Sequence, residues 1–346
     1  MKHRQTRIRP PAVTMHDVAK LAGVSQSTVS RVLSKTPSMV PISEETSKKV
    51  LDAVEHLGYF PNLTARSLRV QHSYMIAMMI ADISNAFYHS IVRTVQDIAR
   101  HHRYDVLIAN TDQIYENEVH FCEAMMRRPV DGVIMVPYHL TDGQINQLIE
   151  RTGTIVVALA SYLEHPDVDT VSSDDETATY EAVKWLIETK HHIRIGFIGV
   201  TDLFPPGKRR RRGYHRALQE AGLLIRTDYE QTGDFTTESG QNAIHKLLSL
   251  PTPPSAVFVC NDLMAIGALN MALDMGFRIP EDVAIVGFDN IPETRLIRPN
   301  LTTVAQFPVE MGRQLATALF QRIEGQYEGT KRTFEIPLQL IERQST

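Results

Sequence analysis

The sequence predicts an α/β protein, with a small all-helical head followed by two doubly wound parallel-sheet subdomains of similar size. Two patterns carry that prediction. Thr14 to Leu33, TMHDVAKLAGVSQSTVSRVL, reads as two short helices broken at Gly23. From Tyr74 onward, short apolar runs alternate with helical stretches, the signature of parallel strands joined by crossover helices.

The first helix is expected from about Met15 to Ala22, with Thr14 as N-cap and Asp17 closing a reciprocal cap three residues on. Gly23 allows the sharp turn that a bulkier residue would resist. The second helix follows Val24, with Ser25 as cap and Thr28 three residues further. Val29, Val32 and Leu33 should face Val18, Ala19 and Leu21. After a polar loop, a third helix from about Ser43 to Leu57 stops at Gly58, and its Val50, Leu51, Val54 and Leu57 close a three-helix core. Tyr59 to Ser73 has room for one or two helical turns, too short to hold by themselves because nucleation is costly.

In the body, strands are expected at 75–80, 105–110, 132–136 and 154–159, then at 194–199, about 229–233, 256–260 and 283–288. Helices fall near 90–101, 115–127 and 142–150, and then near 176–189, 207–221, 237–249, 262–275 and 309–324. Ligands of such folds bind beyond the carboxyl ends of the strands, here in a cleft between two halves.

Composition narrows the function. A chain of 346 residues with 43% hydrophobic and 22% charged residues can bury several cores. There is no run of about 18 apolar residues to span a membrane and no secretory h-region near the N-terminus, so the chain reads as cytoplasmic. Cys122 and Cys260, the only cysteines, read as small core residues. The formal charge is −4, yet residues 1–70 carry +6 and the remainder −10. A basic head on an acidic body suits a head that meets phosphates.

Two helices joined by so tight a turn form a helix-turn-helix, whose second helix can enter a major groove. Together with the hinge YFPNLTARSL, the segments ADISNAFY, RPVDGVIMVP, RRRRGYHRAL, GDFTTESG, VCNDLMAIGAL, RIPEDVAIVGFDN and NLTTV, and the closing IERQST, this head resembles the lactose/galactose repressor (LacI/GalR) family of bacterial transcription regulators. The resemblance runs in order from Thr14 to Thr346. It implies a helix-turn-helix domain at 14–60, a hinge helix at 61–73, and a two-lobed body of periplasmic-binding-protein type at 74–346. The chain should cross between lobes near Ser172, near Val304 to Phe307 and near Arg332. Lobe 1 would then take about 74–172 and 305–332, and lobe 2 about 173–304 and 333–346. It also implies a homodimer on a pseudo-palindromic operator, a small-molecule effector in the cleft, and no cofactor or metal.

Carried onto this chain, the family's base-reading positions are Gln26, Ser27 and Arg31. Gln suits adenine, Arg suits guanine, and Ser is a tolerant short partner. Thr14, Ser25, Thr28, Ser30 and Ser34 suit phosphate contacts, and Ser25 also suits capping. Leu68 matches the hinge leucine that wedges into the minor groove, with Ala65 beside it and Tyr59 and Asn62 at hinge and backbone-contacting positions. The implied effector contacts are Phe87, Tyr88, Arg210, Phe235, Asn261 and Asp289, offering flat apolar faces and polar anchors. Ala160 stands where many sugar-binding relatives carry Asp, and Ala86 where the family usually has Pro.

The run Lys208 to Arg212 reads either as a solvated face or as a field for an anionic effector such as a sugar phosphate. Asp262 reads as the cap of a helix beginning at Leu263. No nucleophile, metal set or GxGxxG fingerprint points to an enzyme. The alternative reading is a soluble sugar-receptor-like protein without regulatory DNA binding.

Overall fold

A computed structural model describes residues 13–34, 42–59 and 72–346. Two compact units divide at Ser73 and Tyr74.

The head holds α1 (Met15–Ala22), α2 (Gln26–Ser34) and α3 (Glu44–Leu57). Thr14 and Asp17 form the reciprocal cap of α1: the Thr14 backbone N–H donates to Asp17 Oδ2 at 2.8 Å, and the Asp17 N–H donates to Thr14 Oγ1 at 3.4 Å. Gly23, at φ 66°, turns the chain between α1 and α2. Ser43 caps α3, and Gly58, at φ 59°, ends it. The core consists of Val18, Ala19, Val29, Val50, Ala53 and Tyr59. Leu21 and Leu51 are about half exposed and stand outside it. Ala53, small enough for the close approach of helices, occupies the place expected of a larger side chain.

The body carries two six-stranded sheets. The first holds β1 (Met75–Ile80), β2 (Asp105–Asn110), β3 (Gly132–Met135), β4 (Ile155–Leu159), β5 (Asp169–Ser172) and β11 (Thr333–Glu335) in the order β11-β5-β4-β3-β1-β2, all parallel. The second holds β6 (Ile195–Val200), β7 (Glu230–Gly233), β8 (Ala256–Val259), β9 (Ala284–Asp289), β10 (Thr302–Ala305) and β12 (Gln339–Ile341). Its order is β12-β10-β9-β8-β6-β7, with only β12 antiparallel. In each sheet the first strand sits between its second and third, so the order reverses there. Such switch points open a crevice at the strands' carboxyl ends.

Helices α4 (Ala86–His101), α5 (Tyr115–Arg127) and α6 (Asp142–Thr152) connect the first sheet. The second lobe contains α7 (Asp175–Glu188), α8 (Pro205–Glu220), α9 (Thr237–Leu248) and α10 (Asp262–Asp274). Helix α11 (Pro308–Ile323) returns to pack on α4, β3, β4 and β5. The third crossing is displaced from the expected Arg332. Thr333–Glu335 still pairs with β5, and the chain joins the second sheet only at Gln339, because the register Thr333 to Thr170 extends the first sheet by one edge strand.

Close helix packing in the second lobe depends on two glycines. A Cβ on Gly240 would meet the Met264 carbonyl, and one on Gly267 would meet that of Thr237, so α9 and α10 touch backbone to backbone. Gly267→Ala is expected to cost about 3 kcal/mol, since overpacking against backbone has little room to relax. Urea unfolding followed by circular dichroism measures it.

Candidate functional site

At the start of α2, the Ser25 hydroxyl accepts the Thr28 N–H at 3.1 Å and lies 2.7 Å from Ser27 Oγ. The hydroxyls of Ser25, Ser27 and Thr28 thus form one cluster at the helix entrance, where backbone N–H groups and the helix dipole favour anions. Ser25, Gln26 and Ser27 are exposed, and Gln26 Nε2 lies 3.1 Å from His16 Nδ1 of α1. Ser30 and Arg31 are half-buried, and Ser34 ends the helix. Tyr59 closes the head at the edge of the hinge segment. It is 7% exposed and its ring packs in the head core, at the C-terminal end of α3. Asn62, Ala65 and Leu68 lie outside the described residues.

In the body, an open-sided cleft lies where the strand ends of both sheets converge. Five of the six expected effector residues line it: Phe87, Tyr88, Arg210, Phe235 and Asp289. Asn261 does not. It is 1% exposed, accepts the Met264 N–H as the N-cap of α10, and donates to the Phe235 carbonyl at 3.0 Å, so it shapes the wall from behind. That also moves the cap assigned to Asp262. Asp262 lies one residue inside the helix, fully buried, accepting from the Ile291 N–H at 2.9 Å and Thr303 Oγ1 at 2.6 Å.

Arg210 is the fixed cation of the cleft. It is 4% exposed, its Nε donates to Asp175 Oδ2 at 3.2 Å, another nitrogen donates to the Cys260 carbonyl, and its guanidinium lies 3.7 Å above the Phe288 ring. Asp289 accepts from Gln306 Nε2 at 2.5 Å. Burial holds the Asp289 carboxyl above the ordinary carboxylate range, against the pull of Arg210 and Gln306. Burial, and then repulsion from Asp289, does the same for Asp262. Phe235 and Asp289 both have positive φ, 70° and 122°, a strained backbone of the kind that gathers at binding sites.

Several lining residues carried no expectation in the sequence. Tyr138, beyond β3, has its hydroxyl 3.3 Å from that of Tyr88, and its ring meets Phe204 of the other lobe edge-on at 5.2 Å. Phe204 in turn stacks on Phe235 at 6.1 Å, so an aromatic chain bridges the two lobes. The loop bearing Tyr138 is held by Glu118 of α5. This carboxyl is fully buried and accepts the N–H groups of Tyr138, His139 and Leu140 at 2.8, 3.0 and 3.1 Å. Burial raises its pKa and the three backbone donors oppose the rise. A signal existed in the sequence: Glu118 shares the helical face of Phe121, Cys122 and Met125, a place where a carboxylate needs a partner.

The basic run resolves into separate ion pairs. Arg211 meets Asp202 at 2.9 Å and Glu230 at 3.4 Å, while Arg212 meets Glu176 at 2.7 Å. Only Arg209 and Arg210 of the run line the cleft. The two thiols are buried, and burial pushes both up to about 12, which leaves them inert at neutral pH. Among the described residues, no group of three or more His, Cys, Asp or Glu could hold a metal, and no helix is long and apolar enough to cross a membrane.

A head with an exposed groove-sized helix and a two-sheet body with a lined cleft define a ligand-responsive DNA-binding regulator. Comparison with known proteins agrees. Residues 14–62 match the lacI family of bacterial regulatory proteins, and residues 183–346 match the periplasmic binding protein-like domain. The chain is 36% identical to catabolite control protein A of Priestia megaterium, over 96% of this chain and 99% of that protein. It is 35% identical to the HTH-type transcriptional repressor CytR of Escherichia coli K12, over 92% of each. The solved lac repressor dimer bound to operator and the anti-inducer ONPF matches with a TM-score of 0.81 at 25% identity, covering 96% of this chain and 99% of that one. The chain belongs to the LacI family, and it is a DNA-binding transcription regulator answering to a small-molecule effector.

Proposed function

We propose that the chain acts in the cytoplasm as a homodimeric repressor, with one head of 14–60 on each half of a pseudo-palindromic operator. Residues 61–73 serve as the hinge, and the cleft of 74–346 takes the effector. Gln26, Ser27 and Arg31 read bases. Thr14, Ser25, Thr28, Ser30 and Ser34 hold phosphates, with Tyr59 and Asn62 at hinge and backbone-contacting positions, while Leu68 wedges the minor groove beside Ala65. Phe87, Tyr88, Arg210, Phe235 and Asp289 contact the effector. The observation that supports this most is the convergence of those five residues, from sequence positions 87 to 289, on one cleft spanning two lobes. Aromatic faces beside a buried carboxyl, an amide and a guanidinium suit a small hydroxyl-rich or ring-bearing metabolite, a sugar, a sugar phosphate or a relative. No residue here needs a catalytic role.

An effector that closes the two lobes differently would change the spacing of the paired hinges, and a segment too short to be helical by itself would then lose its fold. Gel retardation of the full chain on fragments of its own chromosome, with and without candidate metabolites, tests the function. A few fragments should be retarded selectively, and one metabolite class should change that affinity about tenfold or more. If about six phosphates are neutralised, affinity should fall by roughly 10³ between 50 and 200 mM salt. Ligand binding with no selective DNA retention would favour the receptor alternative.

A further inference from the structure

We propose that one corner of the cleft, formed by Ser161, Tyr162 and Arg209, is a donor-only subsite for an anionic oxygen group on the effector, a phosphate or a carboxylate. This deepens the proposed function and rests on the cleft being the effector site.

All three residues line the cleft, and they come from opposite lobes: Ser161 and Tyr162 follow β4, and Arg209 projects from α8. Arg209 Nη1 donates to Ser161 Oγ at 2.7 Å, so the guanidinium reaches across the mouth between lobes. Its Nη2 donates to Asp175 Oδ2 at 3.1 Å, the same oxygen that accepts from Arg210 Nε at 3.2 Å. The other oxygen of Asp175 accepts from Ser173 Oγ at 2.8 Å. Asp175 is therefore one carboxylate shared between two guanidinium groups.

Two polar atoms of these lining residues have no hydrogen-bond partner although both are buried: Arg209 Nε and Tyr162 Oη. The first can only donate, and the second is a phenol whose proton burial holds firmly in place. An unmet buried donor is costly enough that native proteins seldom leave one, and two on residues lining the same cleft call for an acceptor from outside the chain. No side chain bonds either atom. Ala160 brings only a methyl group to the wall, and Ser161 Oγ already accepts from Arg209.

Charge points the same way. The lining carries Arg209 and Arg210 against Asp175 and Asp289, and the Asp289 carboxyl is held toward its neutral form by burial. The cleft is left short of negative charge at its Arg209 end. An oxygen anion there would accept from Arg209 and the two hydroxyls, and it would tie Arg209 of one lobe to Ser161 and Tyr162 of the other. Arg211 and Arg212 take no part, since their carboxylate partners lie outside the cleft.

The test is thermal unfolding of the full chain in sodium phosphate, sodium acetate or sodium chloride at equal ionic strength, read by fluorescence of the single tryptophan. Trp185 lies in α7, so the signal reports the body rather than the head. Wild type and the Arg212→Gln control should melt about 3 °C higher in phosphate, in acetate or in both than in chloride, at an anion concentration roughly ten times Kd. Arg209→Gln should lose that shift, and Tyr162→Phe, which removes one oxygen and little else, should lose part of it. A shift with phosphate alone identifies a phosphate-bearing effector, and one with acetate alone a carboxylate. No shift in wild type, or an equal shift in all four proteins, overturns the subsite. Failure of the wild-type chain to select DNA would overturn the proposed function and leave this result readable.

Discussion

Gln26→Ala is expected to weaken specific operator binding by a factor between about 30 and 10⁴, while binding to unrelated duplex stays within about twofold. A good bidentate contact between a side chain and a base discriminates by roughly 1–3 kcal/mol, and a dimer loses two of them, one per half-site. Non-specific binding depends on phosphate neutralisation, to which an uncharged amide adds little. Gln26 is exposed at the first turn of α2, with His16 of the preceding helix 3.1 Å from its amide, so its removal leaves the head core of Val18, Val29 and Val50 untouched. Fluorescence anisotropy with the operator and a scrambled duplex, at one fixed salt concentration, measures both arms. Equal losses on the two duplexes would show that Gln26 holds backbone rather than base.

The largest stability effect is expected at Asp169→Ala, a loss of about 3–5 kcal/mol, because it strands two cations on a buried carboxylate's site. Asp169 begins β5 with no exposure and accepts two bonds from Arg322 of α11, at 2.8 and 2.6 Å, and two from the Arg332 side chain, at 3.1 and 2.7 Å. The Arg332 backbone N–H adds a fifth at 2.8 Å. The carboxylate thereby fastens the returning segment, α11 and β11, to the first sheet. Burial by itself would raise the Asp169 pKa, but Arg322 and Arg332 outweigh it and the net effect is a lowered value. Between that lowered value and the ordinary 3.8, the unfolded chain binds more protons than the folded one. The pair's contribution is therefore complete above about pH 4 and is lost as pH falls through the folded value. Urea unfolding by circular dichroism at pH 7 should show the large loss, and the Asp169→Ala variant should also lack this acid-dependent component.

What the sequence reveals depends on how local the cause is. The Thr14–Asp17 cap and the Gly23 and Gly58 terminations are decided within a few residues, and they stand where local rules put them. The central strands were legible as apolar runs because both faces of a parallel sheet are covered. The edges were not. At one end of the first sheet, Asp169–Ser172 and Thr333–Glu335 are short and polar, and it is pairing with β4 and with each other that makes them strands.

In the cleft, the strand ends that face each other were legible from the fold rule, but partners far apart in sequence were not. Asp262 matched a local cap pattern, yet its bonds go to Ile291 and Thr303, 29 and 41 residues on. The arginine run looks like one positive field, but four carboxylates from three separate places divide it. Helical spacing points Leu21 and Leu51 inward, yet both stand about half exposed while Ala53 takes a core position.

A repressor of this family reads a two-fold DNA site and lets go or holds on according to what fills its cleft. Repeated selection of duplexes from a random library by the full chain, followed by sequencing, checks this. One pseudo-palindrome with two matching half-sites should be enriched. When the selected site is retested, a cleft-binding metabolite should shift its affinity in wild type, and that shift should shrink in Arg209→Gln. Enrichment of no sequence, or of a single asymmetric half-site indifferent to every metabolite the cleft binds, would contradict it.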